Sequence, residues 1–600
     1  MPALHFAPTS IMATLHAVNG SANSSVSLSV FQDQSSASLI RPTQSLSYEI
    51  ANHAKAYLEA NQYATGYAFL STLLTTGVVA STEAQRYPAL LAPAPQLAFA
   101  VSLIAYPPIT TKAQSSNKVA GADAALRYLQ NVQNTISPLD AIRRKAFVFP
   151  DERTRRRTMA QRQSASLSPG TPGRLDLLGG IAANGQSIWY RATDFWHIVG
   201  WAFNCSASHK KRWERWKLWL EVMLDYLEAE FEARVHLCNE AGTKSEEILM
   251  ESLLWHYISS EPPESRTTRL RIIRAVLAMD TSHSGSSYPE IWEDETLEPT
   301  APDKDTFLHE IDIENGQLGD FGRDDEDVVM QNAPSTTRSG TKSRPRGRRS
   351  VPTETQGNDE DIIEIGSVGE AVDRLGGIEA LQLRRRLLTL LSRVAQMLPR
   401  QFTSLEDLVE VLAEELVRLP TMFLSPIVSM VALPEPLQIA LNADLLRPLV
   451  KGELPDYISI RPTQSHMEDY FLPRRATAES YATNAKISLI VEQMFMYMMN
   501  AQALEATDRL RKAVENGCEA RGSLYGTGRK KRGNATEESH AKFVLQSSTE
   551  RLLGLLEVLE ISKGKPPQPR QDTGRSMSLS FNSDLSSPPE SDIEEEEDEE

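Results

Sequence analysis

Residues Arg191–Arg234 read RATDFWHIVGWAFNCSASHKKRWERWKLWLEVMLDYLEAEFEAR and hold Trp196, Trp201, Trp213, Trp216 and Trp219, five of the eight tryptophans in the 600-residue chain. From Lys210 onward, Glu214, Lys217, Glu221, Asp225, Glu228 and Glu232 recur every three or four residues. That spacing places them along one side of a helix. Trp213, Trp216, Trp219, Leu220, Met223, Leu224, Leu227 and Phe231 fall on the other side, an apolar face too wide for a peripheral helix. The preceding run, Phe195–Cys205, has only His197 and Asn204 as strongly polar members. It predicts a helix buried almost all round, with Thr193 or Asp194 capping its start. The link SASHK then folds the two helices back as an antiparallel hairpin. Each aromatic side chain buries roughly 150–250 Å², so the hairpin is expected to anchor a core. Two other uses compete: bases stacking on KKRWERWK, and an aromatic cage for a cation. Lys217 lies on the polar side while the rings point elsewhere, which favours the core.

Helical periodicity extends in both directions from this hairpin. Upstream, SYEIANHAKAYLEANQYATGYAFLSTLLTTG reads as two short helices broken near Gln62, with Gly77 as a stop. This pair of helices, the first rich in small residues, resembles a tetratricopeptide-type hairpin. PAPQLAFAVSLIAYPP and KVAGADAALRYLQNVQNTI give two more helices, punctuated by proline, and LDAIRRKAFVF a shorter one. Downstream, SEEILMESLLWHYISS and SRTTRLRIIRAVLAMD continue the pattern. After a long polar interval, helices return from about residue 370, beginning with GGIEALQLRRRLLTLLSRVAQML. Strand-like alternation is almost absent. The expected fold class is therefore all-α: two irregular helical stacks or bundles, the first tetratricopeptide-like, joined by a long disordered acidic linker. The expected boundaries are a disordered segment 1–44, a helical domain 45–283, a linker 284–369, a helical domain 370–562 and a disordered acidic tail 563–600. A basic, then Ser/Pro-rich insert interrupts the first domain at about 150–186.

Composition narrows the function. The net charge is −17, so no general nucleic-acid-binding surface is implied, although local basic patches remain. Cys205, Cys238 and Cys518 are the only cysteines and form no CxxC pair, which argues against a disulfide framework or a cysteine zinc site. The first twenty residues lack the basic and continuous apolar regions of a secretory signal, and no apolar run approaches the ~20 residues of a membrane span. No phosphate loop, HExxH, GxSxG or kinase signature is present. Cys205 and His209 sit four apart without a third ligand nearby, and His197 and His256 stand alone in apolar surroundings. These are read as ordinary helix residues, and no enzyme, metal or cofactor is expected.

The recognition signals lie in the polar segments. Arg529, Lys530, Lys531 and Arg532 form a compact basic group. Arg344, Arg346, Arg348 and Arg349 form a second. Arg143, Arg144 and Lys145, followed by Arg153 and Arg155–Arg157, have a bipartite look. Together they suggest nuclear import, with phosphate contacts to DNA or RNA as the competing use. In NDEDIIEIGS, Ile362, Ile363 and Ile365 follow a run of acids. This resembles a SUMO-interacting motif, which implies an added strand on the partner's sheet; packing of the isoleucines on the next domain is the alternative. Ser168, Thr171 and Ser587 precede prolines and are candidate phosphorylation sites. The methionines of EQMFMYMMNAQ are read as core filling. The expectation is a nuclear, non-enzymatic scaffold or adaptor in a multi-subunit complex serving chromatin, DNA maintenance or transcription. A nucleic-acid-binding factor in ribosome biogenesis or RNA processing is the alternative.

Overall fold

Apolar residues at helical spacing, broken by proline and glycine, produce a chain whose regular structure is almost wholly helical. The computed structural model describes residues 40–78, 81, 85–150, 178–241, 245–297, 367–430, 435–450, 462–477, 480–523 and 535–566. The helices before residue 298 are α1 (Tyr48–Glu59), α2 (Tyr63–Thr75), α3 (Ala94–Ala105), α4 (Ser116–Thr135), α5 (Ala141–Ala146), α6 (Ile188–Arg191), α7 (Phe195–Ser208), α8 (Lys210–Ala241), α9 (Ser245–Met250), α10 (Leu253–Ile258), α11 (Arg266–Val276) and α12 (Ser282–Ser287). Those after residue 366 are α13 (Val368–Arg374), α14 (Gly377–Met397), α15 (Leu405–Arg418), α16 (Thr421–Met430), α17 (Glu435–Leu446), α18 (Tyr481–Asn500), α19 (Asp508–Gly522) and α20 (Ala535–Ser562). A single helical turn at Gln464–His466 runs into a π-helical stretch, Met467–Phe471. The only sheet among the described residues is a parallel pair, β1 (Thr43–Ser45) and β2 (Ala89–Leu91).

The two-helix reading upstream of the tryptophans holds: α1 ends at Glu59, Asn61 turns the chain at φ 59°, and α2 begins at Tyr63. Gly77, two residues past the end of α2, takes φ 78°, where an L side chain is strained. α2 packs on both α1 and α4. The chain is already fixed before residue 45. Arg41 is buried, and its guanidinium donates to the carbonyls of Leu74, Thr76, Tyr87 and Pro88.

The tryptophan hairpin forms as its spacing requires. α7 and α8 are separated by one residue, His209. Asp194 caps α7, accepting from the His197 amide at 2.8 Å. All five indoles are buried, with Trp216 and Trp219 fully so. Phe195 stacks on Tyr257 at 4.4 Å between centroids, and Trp216 meets Trp219 edge to face.

The expected boundaries differ at several points. Arg41 and Leu178, in segments expected to be disordered, are buried, and so are Tyr288, Ile291 and Trp292, inside the stretch expected to open the linker at residue 284. Trp292 stacks on Trp216, with centroids 5.7 Å apart. The Tyr288 ring lies directly against Gly200, where any Cβ would collide with it. A short aromatic cluster inside an acidic stretch is enough to hold the segment to α7 and α8.

One cluster of buried side chains runs from Ala54 to Leu559, so helices on both sides of residues 298–366 share a continuous core. Met494 and Met498 are buried in it, while Met496 and Met499 are half-buried.

Candidate functional site

Glu295 is the polar centre of the first group of helices. Its carboxylate is almost completely buried and paired with Arg212. It accepts from Arg212 Nε at 2.8 Å, Trp216 Nε1 at 2.8 Å and Trp201 Nε1 at 3.1 Å. The rest of the Arg212 guanidinium donates to the Ala105 carbonyl at 2.7 Å and to Thr110 and Thr111. A buried charge pair is tolerated when its remaining donors and acceptors are satisfied, and these are. Asn204 is equally occupied. It donates to the Ser284 and Tyr288 carbonyls and accepts from the Asp280 amide and the Ser284 hydroxyl. The polar groups of the hairpin thus fix the Asp280–Glu295 segment in place.

His197 is held in one tautomer. Nδ1 accepts from the Thr193 amide at 3.1 Å, so the ring proton sits on Nε2, which donates to the Pro289 carbonyl at 2.9 Å. Burial lowers its pKa from the ordinary histidine value, with Arg271 working in the same direction against Asp194, Glu295 and the Pro289 hydrogen bond.

The polar stripe of α8 meets a second helix. Lys217 reaches Glu379 at 2.8 Å, Asp225 and Glu228 take Arg386 at 2.6 and 2.7 Å, and Glu232 takes Arg393 at 3.1 Å. Pair numbers rise together on both helices, so α8 and α14 run parallel. Glu379, Arg386 and Arg393 recur every seven residues and keep to one face of α14. Burial works against the charge of Arg386, but its hydrogen bonds with Glu228 and Asp225 outweigh that and hold it above the ordinary arginine range. The polarity is reversed one helix away, where Arg266 meets Glu414 at 2.6 Å and Arg274 meets Glu415 at 3.0 Å, joining α11 to α15.

Arg384 bolts this seam from inside. Its guanidinium donates to the carbonyls of Val276 at 3.0 Å, Ala278 at 2.8 Å and Leu375, and lies 4.2 Å from the Phe203 ring centroid. Burial pushes its pKa down to about 9. Beside it, Gly376 at φ 90° presses on Ser206 so closely that a Cβ would overlap the serine side chain. The residues preceding the seam on one side and following it on the other are far apart in sequence, which is why no local pattern announced it.

The candidate recognition residues fall elsewhere. Ile362, Ile363 and Ile365, Arg529, Lys530, Lys531 and Arg532, and Ser168, Thr171 and Ser587 all lie outside the described residues. Arg143 is within them and is not a free import residue. It is buried, donates to the Ile136 carbonyl at 3.0 Å and to Gln133, and its guanidinium sits 4.5 Å from the Tyr226 ring centroid. Cys205 is buried, and burial pushes its thiol up. Among the described residues, no group of three or more His, Cys, Asp and Glu is placed to hold a metal ion, and no helix is long and apolar enough to cross a membrane. The chain matches no protein-family model, and no curated protein matches it.

Proposed function

We propose that the protein is a non-enzymatic scaffold or adaptor subunit of a nuclear complex that acts in chromatin, DNA maintenance or transcription. The observation that carries this reading is the seam. Helices from both sides of residues 298–366 are joined by Arg384, by the α8–α14 ion pairs and by a continuous core. A frame joined in this way keeps its surfaces in fixed relation, as a platform for several partners requires. The short motifs lie between Pro150 and Leu178, between Leu297 and Ser367, between Ser523 and Ala535, and after Pro566, outside the described residues. Helical presentation of tetratricopeptide type belongs to the same proposal and is assigned to the α1–α2 hairpin. Import rests on the basic clusters, SUMO binding on Ile362, Ile363 and Ile365, and phosphorylation on Ser168, Thr171 and Ser587.

The test is affinity purification of the full chain after nuclease treatment. A defined set of nuclear proteins supports the reading. Recovery of nucleic acid alone, with steep salt dependence and loss on neutralising Arg529, Lys530, Lys531 and Arg532, replaces it with a nucleic-acid-binding role. Retention of a tagged chain in the cytoplasm removes the nuclear part. SUMO binding that survives alanine at all three isoleucines removes that motif.

A further inference from the structure

A cleft of about 660 Å³ opens between the start of α1, the start of α3, α5 and the approach to the tryptophan hairpin. We propose that it is a docking groove for an extended peptide of a partner protein, one that carries apolar side chains next to acidic ones. The proposal rests on the scaffold reading and names the chemistry of one partner.

The two walls differ. Along one, α1 presents Tyr48, Asn52 and Lys55, spaced i, i+4 and i+7 on a single helix face. Their hydroxyl, amide and ammonium groups are all hydrogen-bond donors. The remaining lining includes the apolar Pro93, Pro95, Ala98, Ile142, Val148 and Trp189, with Lys145 beside them. At 1.5 Å of rise per residue, the three donors stand at about 0, 6 and 10.5 Å along the groove. An extended chain repeats every two residues at roughly 6–7 Å. The first two donors therefore match alternate carbonyls of such a chain, whose remaining side chains face the apolar lining. An acyl chain of the same volume would leave the donor row without acceptors.

The floor and the mouth add two constraints. Gln96 is buried on the floor. Its Nε2 donates to the Ala51 carbonyl at 3.0 Å, while its Oε1 meets no donor among the described residues. Among the described residues, the cleft is lined by two lysines and by no aspartate or glutamate. Lys55 is partly neutralised by Glu59 at 3.6 Å, which leaves the exposed Lys145 to select the charge of the occupant.

The test uses the full chain and blocked synthetic peptides in fluorescence anisotropy. One set combines Ile, Val and Pro with Asp and Glu; the second replaces the acids by Lys; dodecanoate is a non-peptide control. The acidic set is expected to bind about tenfold more tightly than the basic one. Lys145→Glu, at an exposed position, reverses that order. Asn52→Trp, also exposed, fills the groove and removes binding of both sets without changing the melting temperature. Binding that ignores both substitutions overturns the proposal, as does binding of dodecanoate with none of either peptide. A chain that recovers nuclear proteins yet binds no peptide sinks the groove alone. One that binds the acidic peptides and recovers no nuclear protein sinks the scaffold reading alone.

Discussion

The inner and outer faces of α8 are both covered, by different means. The inner face buries Trp213, Trp216, Trp219, Leu220 and Leu224 and leaves its polar requirement to the Arg212–Glu295 pair. The outer face meets α14 through Lys217, Asp225, Glu228 and Glu232, whose partners stay half in water. The dry face draws its strength from area and from the satisfied Arg212–Glu295 pair, although the buried Trp219 Nε1 meets no acceptor among the described residues. The wet face draws little from each pair, since exposed ion pairs contribute about 0–1 kcal/mol, but it selects which helix docks and in which direction. Stability and assembly are therefore carried by separate sets of residues on one helix, and substitutions should separate them.

The largest effect is expected at Glu295. Replacement by alanine strands the Arg212 guanidinium and leaves the Trp201 and Trp216 indole N–H groups without an acceptor. Loss of one member of a buried pair costs about 3–5 kcal/mol. Denaturant unfolding followed by tryptophan fluorescence measures it. Replacing Arg212 by Met in the same chain should recover part of the loss, because no buried charge is then left alone. A Glu295→Ala chain as stable as the parent contradicts the inner-face account.

Next in size is Arg384→Ala. Hydrogen bonds to charged groups contribute about 1.5–3 kcal/mol, and three carbonyls lose the guanidinium at once. Unlike Glu295, Arg384 lies between the two groups of helices. Its loss should make the fragments separable after proteolysis within 298–366, whereas the parent fragments stay together in gel filtration. Co-elution of the variant fragments would show that Arg384 does not bolt the seam.

A smaller effect follows from reversing Arg386. Arg386→Glu faces Asp225 and Glu228 with a like charge and should weaken the seam by about 1 kcal/mol. High salt should shrink the difference. Converting Asp225 and Glu228 to Lys in the same chain should restore docking. A loss that salt leaves unchanged, or that the compensating pair fails to repair, points to packing rather than charge.

The inner face was legible in the sequence, and the seam was not. Tryptophan and leucine spacing on Lys210–Ala241 specifies a buried side whatever it packs against, and Thr193 or Asp194 before Phe195 reads as a cap, of which the structure takes Asp194. The charged stripe was equally visible, but a polar stripe has the same sequence whether it faces water or another helix. Its partners Glu379, Arg386 and Arg393 lie about 160 residues further on. The Tyr288–Glu295 segment was missed for a different reason. Net acidity dominated its reading, although Tyr288, Ile291 and Trp292 supply as much apolar surface as a helical turn. The cleft had no local signature, since its walls come from four stretches of chain.

The smallest predicted effect tests the α7 side of the same hairpin by pH. His197 is neutral in the fold, with Nδ1 facing the Thr193 N–H and Nε2–H facing the Pro289 carbonyl. Protonation at Nδ1 would set two N–H groups against each other. Burial already lowers the pKa of this histidine, so the unfolded chain takes up a proton at a pH where the folded chain does not. Stability from this group is complete above about pH 6.5, the ordinary histidine value, and is lost as pH falls through the depressed folded value. The dependence has the opposite sign to that of a histidine gaining a carboxylate partner, whose pKa would rise. His197→Gln keeps the ring's reach and a donor but cannot titrate. Subtracting its unfolding profile from the parent's between pH 7.5 and about pH 5 isolates the histidine. The parent should lose stability relative to the variant as acid is added. A parent that gains stability would mean that His197 is held as the cation, and the hydrogen bonds assigned to the hairpin's first turn would have to be redrawn.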